Sequence, residues 1–257
     1  MIRLLFPLLL AIVAGMATAE SDLERTWRHA QVWLPGTVSA VTPADIPATT
    51  EASAVILYAH GCDGPGRITT ASARFLAGAG YLVVAPDSFA RSDKPRSCDP
   101  AIPRGGLHRA VLGWRQAEMR HAMTQLRDMP ATRVLPVALM GHSEGAITVA
   151  TMTAPDAALR IIEGWTCHAG WPAYRGLNAP TDQPVLSLVG AQDPWFRLPV
   201  LHGDCGAFMT DGGPMRSVVY DPPGYLAERH WLSADQRVRA TILEFLSDNL
   251  PAEEDAK

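Results

Sequence analysis

The 257-residue chain has no basic block, and its 22 Lys and Arg stand against 26 Asp and Glu. A formal net charge of −4 offers nothing to track a phosphate backbone, which argues against a nucleic-acid partner. There is no internal repeat, low-complexity tract or zinc-type Cys/His spacing, so solenoids and small metal modules are excluded. Charged residues are only 19% and hydrophobic ones 47%, a balance too apolar for disorder. Cysteine is scarce, with four in the whole chain.

The apolar N-terminus, "MIRLLFPLLLAIVAGMATAE", is too short to be an anchor. Pro7 interrupts it, and the run falls below the ~18–20 apolar residues that a bilayer requires. One Arg, an apolar segment and Ala17-Thr18-Ala19 instead follow the n-region, h-region and A-x-A order of a secretory signal peptide. No cysteine follows the h-region to carry a lipid. Residues 1–19 are therefore expected to be cleaved after Ala19, leaving residues 20–257 as one exported domain, periplasmic or secreted, with no stable membrane insertion. Export gives the cysteines meaning. Cys62, Cys98, Cys167 and Cys205 are an even set in an oxidising compartment, and the residues alone permit three pairings.

What is present is alternation. "HAQVWLPGTV" suggests one or two short strands. The segments "SAVILYAHG", "YLVVAPDS", "LPVALMG", "RIIEGWTCH", "PVLSLVGAQD" and "RSVVYDP" read as buried strands. Helical patterns intervene at "ITTASARFLAGAG", with Thr70 as its start, at residues 107–129, and from about residue 144. A final helix in "SADQRVRATILEFLSDNL" takes Ser233 as N-cap and Val238, Ile242 and Phe245 as its apolar face. Strands separated by helices predict an α/β domain: a mostly parallel sheet covered on both faces. Such sheets collect functional groups beyond the carboxyl ends of their strands.

Ser143 meets that condition. "GHSEG" lies between an apolar strand and a helix, and G-x-S-x-G there is a nucleophile elbow. The turn exposes the Ser oxygen and directs the next N–H, that of Glu144, toward a developing oxyanion. A hydroxyl needs a base, and the base an orienting carboxylate, in the order Ser, acid, His. Asp182 precedes its strand, whereas Asp193 ends "PVLSLVGAQD" and is the candidate acid, with a turn-initiating Asp before Pro194 as the alternative. His202 falls in a Gly- and Cys-containing insertion, and His230 follows the last strand, so His230 is the candidate base. "LYAHGCDG" supplies a second oxyanion donor at the Cys62 N–H, with His60 and His142 as structural histidines.

With "AHGCDG", "GYLVVAPDSFARSD", "GHSEG", "GAQD" and "RHW" assembled, the chain resembles the α/β-hydrolase superfamily and, within it, the dienelactone-hydrolase-like family, from about Ala54 to Leu250. The resemblance implies an α/β-hydrolase fold in a single domain. It makes Arg91 of "APDSFAR" a candidate for holding a substrate carboxylate, with an exposed loop arginine as the alternative. It also implies the pairings Cys62–Cys98 and Cys167–Cys205, because the loops that carry each pair become neighbours. The chain departs from the family in having Ser143 where the family has a cysteine, and His60-Gly61-Cys62 where it has a glutamate. A second arginine after the histidine has no match in "HWLSADQ".

The expected activity is cleavage of a small-molecule ester or related acyl bond through an acyl-enzyme, with no metal or organic cofactor implied. Trp171, Trp195 and Trp231 are candidates for lining an apolar acyl pocket, or for packing alone. A serine peptidase is the enzymatic alternative, and an inert exported binding protein the non-enzymatic one. Oligomeric state is not legible.

Overall fold

Residues 54–59, 82–85, 137–142, 159–163 and 185–190 are buried on both sides without a break, the pattern of interior strands in a doubly covered sheet. In the computed structural model, which describes residues 20–250, they form β2 (Val55–Ala59), β3 (Leu82–Ala85), β4 (Val137–His142), β5 (Leu159–Glu163) and β6 (Val185–Gly190). Edge strands β1 (Gln31–Trp33) and β7 (Met215–Tyr220) complete a seven-stranded sheet of order β1-β3-β2-β4-β5-β6-β7. Only β1 runs antiparallel. This is the α/β-hydrolase architecture.

Side-chain alternation along each strand builds two cores. Val55, Leu57 and Ala59 face one layer with α1 (Asp22–Arg28), α3 (Ala110–Asp128) and α4 (Glu144–Thr151), while Ile56 and Tyr58 face the other with α2 (Arg67–Gly78) and α5 (Gln236–Asn249). Helix α1, capped by Ser21 and Glu24 in a capping box, was not anticipated from the sequence. Two helix starts also differ from expectation. Helix α2 begins at Arg67 after Gly66, so Thr70 lies inside it. Helix α5 is capped by Asp235, whose carboxylate accepts from the Arg237 N–H at 2.7 Å. Ser233 sits too early in the chain to do this and is engaged elsewhere. Strand β5 stops at Glu163, so Cys167 lies on the loop beyond it. The expected signal peptide, residues 1–19, lies outside the described residues.

The structure joins Cys62 to Cys98 and Cys167 to Cys205. Each closes a loop of 36 or 38 residues, a constraint of about 4 kcal/mol on the unfolded chain in the entropy model. Arg160, wholly buried on β5, acts as a third staple. It donates to the Val149 and Met152 carbonyls at 2.6 and 2.7 Å, to Gln183 at 2.6 Å, and at longer range to the Asn178 and Ala154 carbonyls. It thereby satisfies the C-terminal carbonyls of α4, which the helix itself leaves open. Burial lowers its pKa to about 10, so it remains charged near neutrality.

Arg160→Met is expected to leave those carbonyls buried without donors and to lower unfolding stability by about 3–5 kcal/mol. A urea titration would register this as a lower midpoint at unchanged slope. A midpoint equal to wild type would show that the network contributes no net stability.

Candidate active site

The turn between β4 and α4 is tighter than an ordinary strand-to-helix junction. Ser143 has φ 58° and ψ −121°, a left-handed conformation that costs an L-residue on the order of 1–3 kcal/mol and must be held by its surroundings. The glycines on either side make it possible. A Cβ on Gly145 would run into the carbonyl of Ala59 at the end of β2, and one on Gly141 would meet the backbone of Gly145 and Ala146. The Ser143 N–H is tied to the Glu163 carbonyl at 2.9 Å. Elbow, β2 and β5 are thus locked together at the carboxyl edge of the sheet.

That edge brings three of the expected residues into one chain of hydrogen bonds. Ser143 Oγ lies 2.8 Å from His230 Nε2, and His230 Nδ1 lies 2.7 Å from Asp193 Oδ2. With Asp193 ionised, Nδ1 carries the proton and Nε2 is left to accept from the serine hydroxyl. Asp193 is almost wholly buried just beyond β6, and its other oxygen accepts from the Trp195 N–H at 3.0 Å. Trp195 also stacks on the His230 ring at 5.0 Å between centroids. The loop that carries His230 is braced by Glu163, whose carboxylate accepts from the Ser233 N–H at 2.6 Å and from its hydroxyl at 3.0 Å.

The two residues expected to supply oxyanion donors, Cys62 and Glu144, both lie at the cavity that Ser143 borders. The Glu144 N–H is the first of α4 and has no acceptor within the helix. The loop that holds Cys62 is fixed from behind by Arg115, which donates to the His60 carbonyl and to the Gly61 carbonyl at 3.4 Å. Arg115 also pairs with the buried Glu144 carboxylate at 3.3 Å, and that carboxylate accepts in addition from the Ser97 hydroxyl. Ser97 adjoins Cys98, so disulfide and ion pair clamp the loop on two sides.

Two further histidines at this edge, His60 and His142, are kept neutral. His60 donates from Nδ1 to the Gly61 carbonyl at 2.7 Å and accepts from the Ser88 N–H at Nε2. Burial and then the Arg115 charge push its pKa well below the usual histidine value. Burial, and then the neighbouring His230, depress His142 to about 3. Its Nε2–H is left to donate to the His230 carbonyl at 3.2 Å.

Behind the serine opens a cavity of about 250 Å³. Trp171 and Trp195 line it, together with Trp165, Tyr174, Phe196 and Ile147. Two expectations need correction. Trp231 does not line it: its Nε1–H donates to Ser233 Oγ at 3.1 Å and Arg67 lies over its ring, which turns the indole to the other side of the histidine loop. Arg91 does not line it either. Its two terminal nitrogens pair with Glu118 at 2.9 Å and Asp22 at 3.1 Å and the guanidinium lies over Trp114, so both ends of the fork are held by carboxylates of the frame.

Sequence reasoning missed Arg115 and Glu118, and passed over Glu163. The signal was available: Arg115 and Glu118 fall on the i, i+3, i+4 stripe of α3 with Val111, Leu112, Met119 and Ala122, all buried. A charge on an apolar stripe marks a buried pair.

Similar architectures occur among solved structures. A dienelactone hydrolase from Anabaena variabilis aligns over 86% of this chain and 92% of its own, at 18% identity and TM-score 0.55. A lidless α/β serine hydrolase from Xanthomonas campestris aligns over 87% and 89%, at 17% identity and TM-score 0.54. Est1E from Butyrivibrio proteoclasticus, with ferulic acid bound, aligns over 85% and 95%, at 12% identity and TM-score 0.54. No family model and no curated protein sequence matches the chain. At these identities the likeness shows the fold: the chain is an α/β-hydrolase-fold protein.

Glu163 gives the site a measurable pH signature. Burial raises its pKa above 4.5 despite the bonds from Ser233. A carboxyl whose pKa is raised on folding holds its proton more tightly in the native state. Native stability therefore falls as pH rises above 4.5 and through the raised value. Glu163→Gln removes that penalty. The stability difference between variant and wild type, from urea titrations between about pH 4 and pH 8, is expected to move in the variant's favour with rising pH and then level off. A difference independent of pH would refute this.

Proposed function

We propose that the protein is an exported, dienelactone-hydrolase-like serine hydrolase that cleaves carboxylic ester or related acyl bonds of a small molecule. The observation that carries this reading is the unbroken hydrogen-bond chain Ser143–His230–Asp193 at 2.8 and 2.7 Å, set on a left-handed serine. The serine hydrolase and dienelactone hydrolase architectures reported above support the same class. Export rests on the N-terminal signal-like segment, and two disulfides among the described residues accord with an oxidising compartment. None of the described helices is long and apolar enough to cross a membrane.

In this mechanism His230 Nε2 takes the hydroxyl proton as Ser143 Oγ attacks the carbonyl carbon. The oxyanion is received by the N–H groups of Cys62 and Glu144, and Asp193 stabilises the imidazolium. Collapse breaks the acyl–oxygen bond, and His230 returns the proton to the departing alkoxide. Water then enters, loses a proton to His230 and attacks the acyl-enzyme; collapse breaks the bond between the acyl carbon and Ser143 Oγ, His230 returns the proton to Oγ, and the acid leaves. Arg115 and the Cys62–Cys98 bridge act through the oxyanion loop as positioning groups.

Purified wild type is expected to label with a fluorophosphonate probe and to turn over short-chain nitrophenyl esters. Ser143→Ala should abolish labelling, and Ser143→Ala or His230→Gln should each lower kcat by about 10⁴-fold or more. Asp193→Asn should cost about 10³–10⁴-fold. Folded wild type that does not label would overturn the hydrolase reading, and turnover of aminoacyl amides in preference to esters would move it to a peptidase.

A further inference from the structure

We propose that the acyl half of the substrate is uncharged and apolar, small enough to sit as one ring or a short chain in the cavity behind Ser143. The proposal rests on the reading of Ser143 as nucleophile and concerns what that nucleophile is offered.

Charge decides the matter. A carboxylate carried on the acyl group would need a cation inside the cavity, and no Lys or Arg is among the described residues that line it. Arg91 is bound by Glu118 and Asp22 and stays outside the wall. Arg115 is buried and neutralised by Glu144. Besides Ser143 and His230, the wall residues carry four uncharged side-chain donors, the Tyr174 hydroxyl and the indole N–H groups of Trp165, Trp171 and Trp195. Those of Tyr174 and Trp165 have no acceptor among the described residues and are sealed from the open space by their neighbours. The other two indoles offer neutral donors only, and the rest of the lining is largely aromatic and aliphatic surface. An unpaired carboxylate buried against such surface loses its hydration without replacement.

Size and surroundings agree. An apolar cavity of about 150 Å³ accepts benzene, and this one holds about 250 Å³. The apolar wall continues outward through Leu198 and Val200, large hydrophobic residues left 63% and 52% exposed. Beyond the lip an adjoining groove shares Trp171, Trp195 and Leu198 with the cavity and carries Arg104 and Arg197. Those cations belong to the groove and are not among the residues that line the cavity. Trp165 is held in the wall next to the Cys167–Cys205 bridge, with its carbonyl 3.6 Å from Cys205 Sγ, so the lining is stapled in place.

The test compares 4-nitrophenyl hexanoate with the 4-nitrophenyl half-ester of adipic acid, equal in chain length and differing in a terminal carboxylate. On purified wild type the neutral ester is expected to be favoured in kcat/KM by about a hundredfold or more. Leu198→Arg, at an exposed position on the lip, should narrow that ratio about tenfold by giving the carboxylate a partner. A half-ester that is turned over as well as the hexanoate by a protein that labels with fluorophosphonate would overturn the inference and leave the hydrolase reading intact. A ratio that Leu198→Arg leaves unchanged would count against this cavity as the acyl site. Absence of fluorophosphonate labelling would instead bring down the underlying reading.

Discussion

The close approach of the Ser143 elbow to the end of β2 is the constraint on which the rest of the site depends. Gly145 lies against the Ala59 carbonyl with no room for a Cβ, so α4 starts directly beside the loop that follows β2. Because of that contact, Glu144 at the start of α4 and Cys62 border one space. The same contact leaves the serine in a conformation that no isolated peptide would hold. The strain is sustained by the Ser143 N–H bond to Glu163 and by the packing of β4 between β2 and β5.

Around this point the fold buries charge, and each buried charge serves geometry more than net stability. Arg115 joins the His60 and Gly61 carbonyls to the Glu144 carboxylate. It therefore ties the loop after β2 to the start of α4 from behind. Glu163 receives both polar groups of Ser233 and so fixes the loop on which His230 hangs. Glu118 engages Ser88 and Arg91, which anchors the turn after β3 against α3 and, through Asp22, against α1. His60 and His142 are neutral members of the same framework. Only His230 among these three buried-edge histidines has a carboxylate on one nitrogen and a hydroxyl on the other.

The cavity has a different logic. Its walls are largely aromatic and aliphatic, and the guanidinium groups near it pair with carboxylates, lie over the Trp171 ring as Arg109 does, or belong to the adjoining groove. Ser143 at the elbow and Arg91 paired within the frame both depart from what the resemblance to dienelactone hydrolases implies, while the scaffold is the same. Fold and specificity come apart here because the sheet is set by strand burial, whereas specificity depends on where a few long side chains find partners.

Much of this was legible beforehand. Strand runs such as "VILYA" and "PVLSLVG" are uniformly apolar because both sheet faces are covered. Ser143, Asp193 and His230 could be read as an ordered series because each follows a strand, and the carboxyl edge of a parallel sheet gathers such positions. Local pattern determined the element types, the elbow and the candidate trio. Less local matters were decided only by tertiary structure. Helix α2 begins at Arg67 and α5 at Gln236, set by capping geometry that a hydrophobic pattern does not encode. Arg91 and Trp231 turned away from the cavity because Glu118 and Ser233, distant or hidden in the sequence reading, offered them partners. A long polar side chain goes where its charge or donor is satisfied, and that partner is known only once the elements have packed.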